Sequence, residues 1–173
     1  LGLSISLVTD EKRIAQIKNH LGIESVDKFS RAFRVCNKKT DERFYQYMDQ
    51  NGYKSKDIHY LYHGSRNENW YGLMTKGPLL RPQGVIITGK AFGNGIYFAP
   101  RATGGMQNKG YLAVYKVLFK NQKDVNVSYP YSLSNIRPHD AVYAHKGVIL
   151  QNDEVIIFRE EQATLQYIIE LNA

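Results

Sequence analysis

Apolar residues recur at helical spacing twice near the N-terminus; beyond residue 60 they alternate or run together as strands do. Ile14, Ile17 and Leu21 mark a helix over 11–21, which Thr9 or Asp10 can cap and Gly22 can end in the left-handed conformation. Residues 29–36 mix apolar and basic positions as a strand does, and Asn37 or Thr40 then caps an amphipathic helix through Phe44, Tyr45 and Met48, closed by Asn51-Gly52. Residues 60–63 form a short strand. Trp70, Leu73 and Met74 give a helix over 67–76 that stops at Gly77-Pro78. Residues 95–99, 111–119, 147–150, 154–158 and 164–171 read as strands. Helices that precede the strands, instead of alternating with them, predict an α+β fold with antiparallel or mixed sheets, against a doubly wound parallel one. No repeat, low-complexity tract or linker divides the chain, so one domain is expected over 1–173.

Composition narrows the setting. At 173 residues and 43% apolar content, the chain can bury a core without covalent staples. A single cysteine, Cys36, forms no internal disulfide, and with five scattered histidines it assembles no metal site at ligand spacing. That predicts an intracellular protein without structural zinc. No apolar run approaches the roughly 18 residues a membrane span needs, and residues 1–8 lack the marks of a signal peptide. The chain reads as starting inside a longer protein. Its net charge is +7, with the excess concentrated in residues 61–120, where Glu68 stands alone against eight lysines and arginines. Such a stretch is either a solvated basic face or a surface for a polyanionic or pyrophosphate-bearing ligand.

Three segments hold candidate chemistry. Residues 89–95, Gly-Lys-Ala-Phe-Gly-Asn-Gly, match neither the dinucleotide nor the P-loop glycine spacing and open a strand instead of a helix. Gly93 and Gly95 make either a tight turn before the strand or a place where a ligand comes close to Ile96 and Tyr97. In Leu61-Tyr62-His63-Gly64-Ser65, His63 ends a strand and Gly64 can offer both main-chain N–H and C=O to a planar carboxamide. Glu154 opens the apolar run Val155-Ile156-Ile157-Phe158 after Asn152-Asp153. Asp153 fits a solvated turn; a carboxylate at the lip of an apolar strand can instead face a cleft and stabilise developing positive charge.

LYHGS, FGNGIYFA and NDEVIIF, in that order, resemble the catalytic domain of poly(ADP-ribose) polymerases within the diphtheria-toxin-type ADP-ribosyltransferases. The similarity runs from about Ala32 to Leu171, and the forms NDEVIIFRE and FAP look like bacterial or phage-borne members. The resemblance implies two packed, mostly antiparallel sheets with short flanking helices, forming a cleft for NAD⁺, which is consumed as substrate without a metal. Residues 1–58 would lead into an NAD-binding and catalytic core over 59–173. It carries a His-Tyr-Glu set onto His63, Tyr97 and Glu154. His63 would hold the adenosine-side ribose, Gly64 the carboxamide and Tyr97 the nicotinamide ring. Ser65, Asn69, Arg81, Phe98 and Tyr111 would add contacts, Arg81 as the cationic one. Glu154 would bond the 2′-hydroxyl of the nicotinamide ribose and stabilise the oxocarbenium formed as nicotinamide leaves. The implied partners are NAD⁺, a protein or nucleic-acid acceptor and DNA-linked regulation through further domains, with no membrane, in cytoplasm or nucleus according to host.

One segment departs from the family pattern. Members follow the Tyr strand with a loop of the form K-S-x-x-Y that completes the nicotinamide pocket, whereas residues 101–110 here lack both the Ser and the Tyr. Either the loop is naturally short or part of it has been lost. Losing one hydroxyl bond and one stacking face weakens nicotinamide binding by about 2 kcal/mol, roughly thirtyfold. A module of the same fold that binds NAD⁺ or ADP-ribose without turnover is therefore an alternative. A basic nucleic-acid-binding domain is another, though no recognition helix or aromatic RNA-binding motif supports it.

Overall fold

The computed structural model describes residues 2–63, 72, 74, 75, 91–102 and 110–172. The helix expected over 67–76 lies largely outside these residues, as do Gly64, Ser65, Asn69, Arg81 and most of the 101–110 loop.

Strand β1 (Leu3–Leu7) leads to helix α1 (Glu11–Leu21), strand β2 (Phe29–Asn37) and helix α2 (Lys38–Gln50). Asp10 caps α1 by accepting from the Lys12 amide (3.2 Å); Asn37 caps α2 by accepting from the amides of Lys39 and Thr40 (3.1 and 3.2 Å). Gly22 does end α1, but its φ of +84° with ψ 170° is a positive-φ extended state and not the left-handed helical one expected. Asn51 and Gly52, with φ +70°, turn the chain after α2.

Next come β3 (Ile58–His63), β4 (Ile96–Phe98), β5 (Tyr111–Leu118), β6 (Gln122–Val125), the short helix α3 (Leu133–Ile136), β7 (Ala141–Ala144), β8 (Glu154–Ile157) and β9 (Ala163–Leu171). Among the described residues they build two sheets. Sheet A has five strands in the order β1-β2-β9-β5-β3, antiparallel throughout; sheet B has four, β4-β8-β7-β6, with one parallel pair, β6/β7. Among the described residues this is an α+β arrangement, as the residue pattern predicts, built of two mostly antiparallel sheets, as the resemblance implies.

The strand expected at 147–150 is not formed. That segment is the turn between β7 and β8, closed by the Gly147 amide on the Leu150 carbonyl (2.8 Å), with Val148 fully exposed at its tip. An apolar run makes a strand only if another strand lies alongside it, and among the described residues none does. The partners of β8 are instead β4 and β7.

Alternation along the strands divides the core into layers. Leu61, Tyr115, Val117, Leu165 and Ile168 of sheet A face Ile96, Phe98, Ala141, Val155 and Ile157 of sheet B in one cluster. Tyr62, Leu112, Val114, Tyr167 and Ile169 point the other way and are covered by Ile17 and Leu21 of α1. On sheet B's outer face, Val142, Ala144 and Ile156 pack with Phe92, Tyr131 and Ile136. The sheets also join edge to edge. Tyr62 and Ala99 exchange two main-chain bonds of 2.8 Å, so β3 touches the end of β4 and sheet A continues into sheet B.

Candidate active site

His63, Tyr97 and Glu154, far apart in sequence, fall on the adjoining strands β3, β4 and β8. Tyr97 lies opposite Ile156, and Glu154 is two residues from Ile156, so both side chains share the outer face of sheet B. His63 shares the inner face with Phe98 and Tyr115, with ring centroids 6.3 and 6.1 Å from its own. It meets the Tyr97–Glu154 pair through the main chain: His63 Nδ1 donates to the Tyr97 carbonyl (3.3 Å). A carbonyl can only accept, so that bond requires a proton on Nδ1.

Tyr97 is fixed by its own loop. Its hydroxyl accepts from the Phe92 amide (3.0 Å) and donates to the Gly93 carbonyl (2.7 Å). Burial, and the nearby Glu154 charge behind it, push the phenol up to about 12, so it stays protonated and keeps the donated bond. Gly93 and Gly95 are both pressed close to the protein's own chain. Gly93 has φ +100°, and a Cβ there would collide with the Tyr131 carbonyl oxygen; a Cβ on Gly95 would lie 2.7 Å from the Ile157 carbonyl oxygen. The turn before the strand, one of the two readings open from sequence, is formed.

The two consecutive carboxylates differ in use. Asp153 accepts from the Lys146 amide (2.7 Å) and the Tyr143 hydroxyl (3.0 Å), and the amide bond first of all holds its pKa below the usual value. It is a structural acid that closes the β7–β8 turn. Glu154, half-buried at the mouth of β8, has no hydrogen-bond or ion-pair partner among the described residues, and desolvation raises its pKa. A carboxylate left unneutralised in a partly desolvated position favours whatever positive charge comes against it.

The other expected contacts are spread out. Phe98 is 2% exposed and buried between the sheets, where it supports the His63 ring. Tyr111 opens β5 opposite Glu170, two residues along from Ala113, the neighbour of His63, and packs on the inter-sheet core. A cavity of about 150 Å³ lined by Pro100, Arg101, Lys146, Asn152 and Asp153 adjoins Glu154 in sequence and register. Arg101 and Lys146 were not among the site residues expected from sequence; the signal available was their position just after the FAP segment and just before the Glu154 strand. A larger cavity, about 280 Å³, lies under α1 on the far face of sheet A, and none of the three residues lines it. Among the described residues no three His, Cys, Asp or Glu side chains group as a metal site, and no helix is long and apolar enough to cross a membrane.

Comparison with known proteins follows the same lines. The profile of the poly(ADP-ribose) polymerase catalytic domain matches residues 13–107, which include His63 and Tyr97 and end before Glu154. A putative poly [ADP-ribose] polymerase-like protein, 100L, of Invertebrate iridescent virus 6 is 26% identical over 168 residues, covering 86% of this chain and 91% of that protein. Poly [ADP-ribose] polymerase 2 of Arabidopsis thaliana is 24% identical over 205 aligned positions, covering 96% of this chain but 31% of the plant protein. Human poly [ADP-ribose] polymerase 2 is 47% identical over 47 residues, 25% of this chain and 8% of that one. The profile takes in more than half of the chain, and the two-sheet architecture and the ordered motifs agree with it: the chain belongs to the poly(ADP-ribose) polymerase catalytic-domain family.

Proposed function

We propose that this chain is an ADP-ribosyltransferase that takes NAD⁺ as substrate and releases nicotinamide. The observation that carries the reading is Glu154: a half-buried carboxylate without a partner among the described residues, on the same sheet face as a tyrosine whose hydroxyl is pinned. In this reading the Tyr97 ring bounds the nicotinamide and the Gly64 main chain pairs with the carboxamide. His63, on the other side of the β3–β4 junction, holds the adenosine-side ribose. The dinucleotide then lies across the strand ends where the sheets part. Ser65, Asn69 and Tyr111 extend that grip, and Arg81 or the Arg101–Lys146 pair supplies cations for its phosphates.

The chemistry asked of the chain is modest. As the bond between the ribose C1′ and the nicotinamide nitrogen breaks, its electron pair leaves with nicotinamide and positive charge develops on the ribose. Glu154, bonded to the 2′-hydroxyl, stabilises that charge. An acceptor oxygen or nitrogen on a protein or nucleic acid then bonds to C1′, and its proton passes to solvent or to the carboxylate.

Nicotinamide released from NAD⁺ tests this directly. The native chain should turn over, and Glu154→Gln should lose on the order of 10² to 10³ in rate while still binding NAD⁺. Equal, slow release by both proteins would defeat the enzyme reading and leave a binding module, the alternative that the short 101–110 loop keeps open.

A further inference from the structure

Strand β1 is an end strand of sheet A, and its sequence, Leu3-Ser4-Ile5-Ser6-Leu7, reads the same in both directions. The phase of its hydrogen bonds is fixed. Lys38 N donates to the Gly2 carbonyl (2.7 Å) and Val8 N to the Ala32 carbonyl (2.9 Å), so the even-numbered residues turn their main-chain groups toward β2. Leu3, Ile5 and Leu7 therefore turn theirs outward, to the edge with no strand beside it among the described residues. Their side chains share the face of Val35, the β2 neighbour of Ile5, and Ile5 and Leu7 are 47% and 50% exposed.

Other strand edges carry some protection against pairing. Strand β6 bears Lys123 and Asp124, β4 is only three residues long, and β3 is met by the Ala99 bridge. Strand β1 has no charge, no proline and no bulge.

We propose that β1 is a homodimerisation edge, pairing antiparallel with β1 of a second copy about a two-fold axis through Ile5. In that register Ile5 faces Ile5, each Leu3 faces a Leu7 and each Ser4 faces a Ser6. The outward N–H and C=O groups of the three odd positions close six main-chain hydrogen bonds, and sheet A becomes one ten-stranded sheet across the dimer. The register is selective. A slip of one residue sets leucine against serine and turns one strand's bonding groups away; a slip of two shortens the ladder and breaks the Ile–Ile pair. A second copy is the occupant because self-complementarity of sequence, bonding phase and apolar stripe together is what an isologous contact requires. Strand β3, with His63, lies at the opposite end of the sheet, so both sites stay open. The proposal stands whether or not the chain turns over NAD⁺.

The ladder is small beside a standard interface, so a dissociation constant on the order of 10 µM is expected. Sedimentation of the chain at about 100 µM should therefore give about twice the monomer mass of 19.9 kDa. Ile5→Lys places like charges face to face across the axis. It should weaken the dimer on the order of a hundredfold and leave the melting temperature of the monomer unchanged, since Ile5 is exposed. In a Cys36→Ser background, Ile5→Cys should oxidise readily to a covalent dimer, because paired strands bring opposing Cα atoms within disulfide reach. Ser4→Cys, which faces Ser6 of the second copy, should not. A monomer at that concentration, a dimer indifferent to Ile5→Lys, or Ser4→Cys dimers forming as fast as Ile5→Cys dimers would each overturn the proposal.

Discussion

The two sheets differ in what they bury and in what they leave open. Sheet A is antiparallel throughout, and its central strands β5 and β9 are buried along most of their length, under sheet B on one face and α1 on the other. Sheet B has short strands and a mixed direction. Its outer face carries apolar side chains beside a half-buried tyrosine and a carboxylate with a raised pKa. A charged group that costs stability is thus placed in the sheet whose strands hold fewer buried residues, while the other holds the larger part of the buried frame. Mutations at matched depth should separate the two roles.

The largest effect is expected in the frame. Leu112, fully buried at the centre of sheet A's outer face, should cost about 4 kcal/mol as Leu112→Ala, read as a shift in the midpoint of chemical denaturation. In sheet B the loop before β4 comes next. Gly93→Ala forces a positive φ on an L-residue and drives a methyl into the Tyr131 carbonyl, so a loss of about 3 kcal/mol is expected by the same measurement. Tyr97→Phe keeps the ring but strips the partner from the Phe92 amide and the Gly93 carbonyl. It should cost about 1–2 kcal/mol and raise the KM for NAD⁺ more than it lowers kcat.

The smallest effect carries the clearest sign. Burial raises the Glu154 pKa above its ordinary 4.5, so the folded chain holds that proton more tightly than the unfolded one. The resulting stability is fully present below the ordinary value and is lost as pH rises through the raised one. Glu154→Gln cannot ionise. Its melting temperature should match the native chain in acid and exceed it increasingly from pH 4.5 upward before levelling off. A native chain that gained stability relative to the variant over that range would show Glu154 to be paired and would erase the contrast between the sheets.

Long apolar alternation made most of sheet A legible: β2, β5 and β9 follow from residues that must face a core on every second position. Both helix caps were legible within a choice of two residues, because Asp10 and Asn37 act on amides a few positions away. Strands β6 and β7 were not, being four residues each, one of them half charged, and held by neighbours that local sequence does not specify. Strand β1 does carry the period-2 alternation of a strand, Leu3-Ser4-Ile5-Ser6-Leu7, yet it was not among the elements expected from sequence. At the site, the chain order of His63, Tyr97 and Glu154 was readable from the motifs. Which face each occupies depends on the β3–β4 and β4–β8 registers and was not. The division between Asp153 and Glu154 was half legible, since a turn acid is expected but its partners, the Lys146 amide and the Tyr143 hydroxyl, come from the far side of the turn.

The Tyr62–Ala99 bridge has a consequence for how the protein breathes. Two main-chain bonds are the point where one sheet hands over to the other, beside the strand ends across which a dinucleotide would lie. Deuterium uptake at those two amides is therefore a local clock for the opening angle of the molecule, slow when the halves are locked and fast when they gape. It can be followed without any turnover at all.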